Sequence, residues 1–176
     1  MASETRDNIL NSLQDILSRE GTQAVTLEAV ADNAGVSKGG LLYHFPSKEA
    51  LYLGLIDRLD ATAQEELTQI RTPREMVRWY LDTSVPGETE DKELSQSVLA
   101  VLRSAGAGND EIRERIRKLY GQWGNEVRKV VKNPVLADAI VLVGDGVYIN
   151  TLLGLAVPEE SRLEKLYAWL IKEANL

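Results

Sequence analysis

Apolar side chains recur at three- and four-residue intervals along most of this chain, the spacing of one face of a helix. Ile9, Leu10, Leu13, Ile16 and Leu17 predict a helix from about Thr5 to Arg19, ended by Gly21. From Ser47 onward, Leu51, Leu55, Leu59, Ala63 and Leu67 predict a long helix. Thr72-Pro73-Arg74-Glu75 is a start signal, with a capping hydroxyl, a proline at the first helical position and a capping-box glutamate. SVPGETED, residues 84–91, reads as a loop. Helices are predicted over about 92–105 and 109–132, parted by AGAGN, with Ile112, Ile116, Leu119, Trp123, Val127 and Val130 on the buried stripe of the second. Asn133-Pro134 breaks the chain again, and a last helix is predicted over about 159–174. Strand-like alternation does not persist anywhere, and no internal repeat is visible.

One short stretch carries more than periodicity. Thr26 to Lys48, TLEAVADNAGVSKGGLLYHFPSK, reads as two short helices joined by a tight turn. Ala31, Gly35 and Leu41 have the helix-turn-helix spacing A-x3-G-x5-L. A small residue at 31 lets the helices cross closely. Glycine at 35 permits the positive φ of a sharp turn. Leu41 plugs the angle between the helices, with Val30, Ala34 and Val36 completing the wedge. Ser37 caps the second helix, which projects outward where it fits a major groove. Ser37, Lys38, Gly39, Gly40, Tyr43 and His44 give that helix a small or hydrogen-bonding surface. The two glycines cost about 1 kcal/mol each against alanine, an exchange that suits close backbone approach to DNA. Ser47 caps the next helix. Lys48 sits unfavourably in its first turn, where a phosphate could be met by backbone amides and the lysine together.

These residues resemble the tetracycline-repressor (TetR) family of bacterial transcription regulators. The resemblance covers roughly residues 5–60, from RDNILNSLQDILSREG through VSKGGLLYHFPSKEAL. It implies that Ser37, Lys38, Gly39, Tyr43 and His44 lie in the DNA-contacting helix. It also implies that Thr26 caps the first helix of the motif against a phosphate and that Lys48 holds another. One departure is visible: the family often has an aromatic where this chain has Leu42, with Tyr43 following instead.

Composition narrows the classes. A chain of 176 residues suits one DNA-binding module plus one larger domain. There is no cysteine and a single histidine, His44, so the common metal and nucleophile arrangements are unavailable. Neither G-x-G-x-x-G nor G-x-x-x-x-G-K-[ST] occurs. Glu65-Glu66 and Glu159-Glu160 are adjacent on helices and diverge into solvent. No enzyme, cofactor or metal is indicated. The polar start MASETRDNIL does not read as a signal peptide, which points to the cytoplasm of a prokaryote. Net charge is −7, and residues 1–50 set four basic against seven acidic side chains. Such a binder should lean on shape and base contacts more than on nonspecific attraction.

Residues 135–156, VLADAIVLVGDGVYINTLLGLA, are apolar nearly all round. Asp138, Asp145 and Asn150 argue against a membrane span. The domain core should cover half of this helix and a second copy of the chain the other half, together with the last helix, at positions such as Leu152 and Leu166. Trp79, Tyr80, Tyr120, Trp123 and Tyr148 also fall in this half of the chain. Aromatics of this kind usually fill a core. Asp145, between Gly144 and Gly146 in the most apolar helix, needs a partner if ionised: an arginine, a backbone amide, or a cationic ligand stacked on aromatic faces. The candidate ligand residues are therefore Trp79, Tyr120, Trp123, Asp145 and Tyr148.

The sequence thus predicts an all-α chain. Residues 1–46 form an N-terminal three-helix helix-turn-helix DNA-binding domain, and residues 47–176 a helical ligand-binding and dimerisation domain. The predicted DNA contacts are Thr26, Ser37, Lys38, Gly39, Gly40, Tyr43, His44 and Lys48. The predicted function is a homodimeric transcriptional regulator, a repressor released from double-stranded operator DNA by a small apolar, cationic aromatic effector. The alternative is a DNA-binding helical dimer without a small-molecule ligand, controlled by protein partners or organising DNA.

Overall fold

The computed structural model describes residues 2–85, 94, 96–98, 100–101 and 109–176. All regular structure among them is helical. The helices are α1 (Ala2–Arg19), α2 (Leu27–Asn33), α3 (Lys38–His44), α4 (Lys48–Leu67), α5 (Pro73–Asp82), α6 (Asp110–Val130), α7 (Pro134–Leu152) and α8 (Glu160–Glu173). The expected loop over 84–91 and helix over 92–105 lie largely outside the described residues. The described residues between 94 and 101 are helical.

The chain divides into two compact units. The first is Met1–Thr62 with Glu90–Arg117, the second Ala63–Thr89 with Lys118–Leu176. By packing, most of α4 therefore joins the DNA-motif helices.

In the first unit, α1 buries Ile9, Leu10, Leu13, Ile16 and Leu17. Val30, Ala31, Ala34 and Leu41 form the buried wedge between α2 and α3. Gly35 takes φ +65°, and the Val36 amide donates to the Ala31 carbonyl at 3.0 Å, closing the turn. Thr26 and Ser37 each accept from a first-turn amide at 3.0 Å, those of Ala29 and Gly40. Phe45 is buried against α4 where Gly54 offers no side chain; a Cβ there would come within 2.5 Å of the Phe45 ring. Arg58 fastens α4 to α1, donating to Asn11 Oδ1 at 2.6 Å, Gln14 Oε1 at 2.7 Å and the Asp7 carbonyl at 2.9 Å. Arg115, on α6, donates to Asp57 Oδ1 of α4 at 2.6 Å.

In the second unit, α5, α7 and α8 pack together. Their core includes Val77, Leu81, Ile140, Val141, Tyr167 and Leu170, with Val127 from α6. Thr72 and Glu75 form the capping box at the start of α5, and Asn133 caps α7. The α7 helix meets α5 closely at Gly144, where a Cβ would lie 2.7 Å from the Tyr80 ring and 2.9 Å from Ser84 Oγ. It stops at Leu152 rather than 156, because Gly154 takes φ +67° and the Leu155 amide turns back to the Asn150 carbonyl at 2.8 Å. Pro134–Thr151 is long and apolar enough to cross a membrane by length and composition. One side of it is instead packed in this core: Ala137, Ile140, Val141 and Val147 are buried. The other side carries Val135 (76% exposed), Leu142 (70%) and Ile149, seven residues apart, followed by Leu153.

Candidate DNA-reading face and aromatic site

The motif spends its capping hydroxyls on its own helices. Thr26 and Ser37 hold α2 and α3 in place, as the bonds above show. On α3, Tyr43 is 84% exposed and packs edge-on to His44, ring centroids 5.2 Å apart. His44 is half-buried and Leu42, before Tyr43, is 37% exposed. Gly39 is exposed and Gly40 partly so.

The two lysines have partners within the chain. Lys38 Nζ pairs with the Glu28 carboxylate of α2, and that hydrogen bond holds the Glu28 carboxyl below its usual range. The pair is exposed on both sides, so it contributes little to stability. Lys48 Nζ donates to the Val25 carbonyl at 2.6 Å and the Thr22 carbonyl at 3.2 Å, and lies 5.6 Å above the Tyr52 ring. A lysine set against the helix dipole therefore has a structural reason: it ties the first turn of α4 to the segment that leads into α2. An ammonium has three N–H donors, which leaves capacity for a phosphate.

In the second unit, four of the five predicted ligand residues form one row. Trp79 and Trp123 meet edge to face with ring centroids 6.3 Å apart, while Trp123 and Tyr120, at 5.2 Å, and Tyr120 and Tyr148, at 5.8 Å, are tilted. The two phenolic oxygens of Tyr120 and Tyr148 are 2.9 Å apart, within hydrogen-bond distance. Trp79 Nε1 donates to Glu66 Oε2 at 2.6 Å. Trp123 Nε1 is buried with no hydrogen-bond partner among the described residues.

Asp145 departs from the expectation of a buried acid. It is exposed in the single chain, on the free side of α7. Its partner is neither an arginine nor an amide but the Tyr80 hydroxyl, which donates to Asp145 Oδ1 at 2.7 Å. Burial first, and then this bond, pushes the Tyr80 phenol far above its ordinary range. Tyr120 is raised too, chiefly by burial and then by Tyr148, with a smaller part from the Asp145 charge. Both phenols therefore stay protonated at any physiological pH. The row thus combines neutral aromatic faces with two nearby carboxylates, Asp145 and the Glu66 that accepts from Trp79, a pairing suited to holding an apolar cation.

An open cavity of about 450 Å³ adjoins the row at Trp123. Leu67, Ile70, Met76 and Val130 line its apolar part, and Arg71 and Glu126 its charged part. Trp123 is the one predicted ligand residue that reaches it. No group of three or more His, Cys, Asp or Glu that could hold a metal occurs among the described residues.

Comparison with known proteins decides the family. Residues 9–55 match the family model described as bacterial regulatory proteins, tetR family, and residues 74–175 match the tetracyclin repressor-like C-terminal domain. The chain belongs to the TetR family. It is a DNA-binding transcriptional regulator of that family. Among its relatives is the nucleoid occlusion factor SlmA of Vibrio vulnificus, 25% identical over 141 residues, 77% of this chain and 71% of that one. Another is the HTH-type transcriptional regulator RutR of Escherichia coli, 36% identical over 89 residues, 47% of this chain and 42% of that one. A transcriptional regulator from Saccharomonospora viridis, solved in complex with choline, shares the fold with a TM-score of 0.74 at 22% identity, covering 97% of this chain and 96% of that one.

Several residues of this TetR-family chain escaped the sequence reading. Glu28 as the partner of Lys38, Tyr80 as the partner of Asp145 and Glu66 as the partner of Trp79 each depend on contacts between helices. Trp169, 53% exposed on α8, falls between the buried positions Tyr167 and Leu170 and so stands off the buried stripe.

Proposed function

We propose that this TetR-family regulator acts as a cytoplasmic homodimer, a repressor released from its operator by a small apolar, cationic aromatic ligand. Residues 1–46 read DNA, with Thr26, Ser37, Lys38, Gly39, Gly40, Tyr43, His44 and Lys48 at or near the contact. Residues 47–176 dimerise and receive the ligand. The observation that carries the DNA-reading part is the helix α3, held by a closed helix-turn-helix wedge and presenting Tyr43 almost fully to solvent. The exposed apolar side of α7, with Trp169 on α8, supports pairing with a second copy. The aromatic row beside Asp145 supports a cationic ligand, and the Saccharomonospora viridis regulator was solved in complex with choline, a small cation without an aromatic ring.

Release requires that the ligand bind the DNA-free form more tightly than the DNA-bound one. Its contacts with Tyr120 and Trp123 fall on α6, the helix that also carries Arg115 onto Asp57 of α4. A shift of α4 would move its Arg58 grip on α1 and with it the reading helix. A second reading dispenses with the ligand and has the dimer act through protein partners or by organising DNA. The likeness to a nucleoid occlusion factor favours it. Selection of duplexes from a random library by the full-length protein, followed by titration of bound duplex with aromatic cations, tests both. Enriched two-fold sites released by a cation support the first reading. Enriched sites that no cation releases favour the second.

The phosphate contact by Lys48 has its own test. Lys48→Ala is expected to weaken binding to every duplex and to lower the salt slope by about one per chain. Anisotropy titrations at several salt concentrations check this. An unchanged slope would leave Lys48 only its contacts within the chain, the two carbonyls and the Tyr52 ring.

A further inference from the structure

The reading helix α3, Lys38–His44, is poor in the side chains that recognise bases by hydrogen bonds. Guanine is read by Arg or Lys, adenine by Asn or Gln, cytosine by Asp or Glu. Over residues 38–44, KGGLLYH, there is no Arg, Asn, Gln, Asp or Glu. The one lysine shares an exposed, weak ion pair with Glu28 and, as a point charge, suits a phosphate. His44 is half-buried against Tyr43, and Leu41 is wholly buried. What α3 does present is apolar surface. Among the described residues, Leu42 and Tyr43 are the exposed large hydrophobics of the first unit, and the rest lie in the second unit.

Gly39 stands three and four positions before these two and so shares their side of the helix. Nothing among the described residues demands a glycine there. Its φ is not positive, and a Cβ would meet only Ser37 Oγ, at 4.0 Å. Glycine at an exposed helical position weakens the helix relative to alanine. The clearance therefore serves something outside the chain that comes against the backbone at 39, next to Leu42 and Tyr43.

We propose that Leu42 and Tyr43 lie against thymine methyl groups in the major groove, brought close by Gly39, so that each half-site is specified by thymines rather than by guanines. The thymine C5-methyl is the one apolar group a base pair offers in that groove. This inference rests on the operator-binding reading above.

The test uses the full-length protein and duplexes it selects from a random library. Each thymine of a selected half-site is replaced in turn by deoxyuridine, which keeps every hydrogen-bonding atom and lacks only the methyl. At least one position per half-site should lose affinity about fourfold, the worth of one buried methyl group. Leu42→Ala or Tyr43→Ala should bind the thymine and deoxyuridine duplexes alike at that position. Gly39→Ala should raise the melting temperature and yet weaken the parent duplex. Deoxyuridine duplexes that all bind like the parent would overturn the inference, as would a methyl preference that survives in both alanine variants, while leaving operator binding itself intact. A library that yields no enriched sequence would overturn the operator-binding reading, and this inference with it.

Discussion

Leu142→Arg should convert the protein from a dimer to a folded monomer and reduce operator affinity at least about a hundredfold, the scale on which linked binding exceeds single binding. Leu142 is 70% exposed in the single chain, in the middle of the row Val135, Leu142 and Ile149 along α7. An arginine there would stand four residues after Asp138 and three before Asp145, both exposed, and would remain solvated in the monomer. In a dimer the charge would be forced into the apolar contact around Val135 and Ile149, and its desolvation costs several kcal/mol. The sequence pointed instead to Leu152 and Leu166. The Leu152 side chain lies outside the described residues, and Leu166 packs partly on its own core, so an arginine at 166 would damage folding as well as pairing. Trp169→Arg should act like Leu142→Arg. Sedimentation of both variants, with circular dichroism to show that they remain helical, decides the matter. A Leu142→Arg variant that stays dimeric would move the interface elsewhere.

Asp145→Asn should weaken an aromatic cation at least about tenfold, or about 1.4 kcal/mol, and leave a neutral analogue of the same shape unaffected. Asparagine retains the oxygen that accepts from the Tyr80 hydroxyl at 2.7 Å, so the α5–α7 contact survives while the charge goes. Operator binding should be unchanged, because residue 145 is remote from the motif in the chain and belongs to the second unit. Quenching of Trp79 and Trp123 reports occupancy of the row. Trp169→Phe in the background removes the signal of the exposed third tryptophan. If cationic and neutral compounds bind wild type and variant alike, Asp145 serves only Tyr80 and the charge preference is wrong.

The features that were legible in the sequence are those set by neighbours along the chain. The motif spacing placed Ala31 and Leu41 in the wedge and Gly35 at a positive φ. The capping roles of Thr26, Ser37 and Thr72 were equally readable, since each hydroxyl reaches an amide three residues on. Pairs between distant residues were not. Lys48 finds carbonyls 26 and 23 residues earlier, and no local pattern encodes that meeting. Asp145 shows a different limit. An apolar helix with no polar face reads as buried all round, yet α7 has one face in its own core and one bare face in the single chain. The acid stands on the bare one. The early end of α7 follows from Gly154, whose left-handed backbone outweighs the apolar run continuing through Ala156.

Under the proposed function, two copies of this chain read a two-fold operator together. Sedimentation of the full-length protein with a duplex it has itself selected, at known molar ratios, tests this most directly. Two chains, or an even number, are expected per pseudo-palindromic site, with half-site centres about one helical turn or a multiple apart. A single chain saturating an asymmetric site would contradict it.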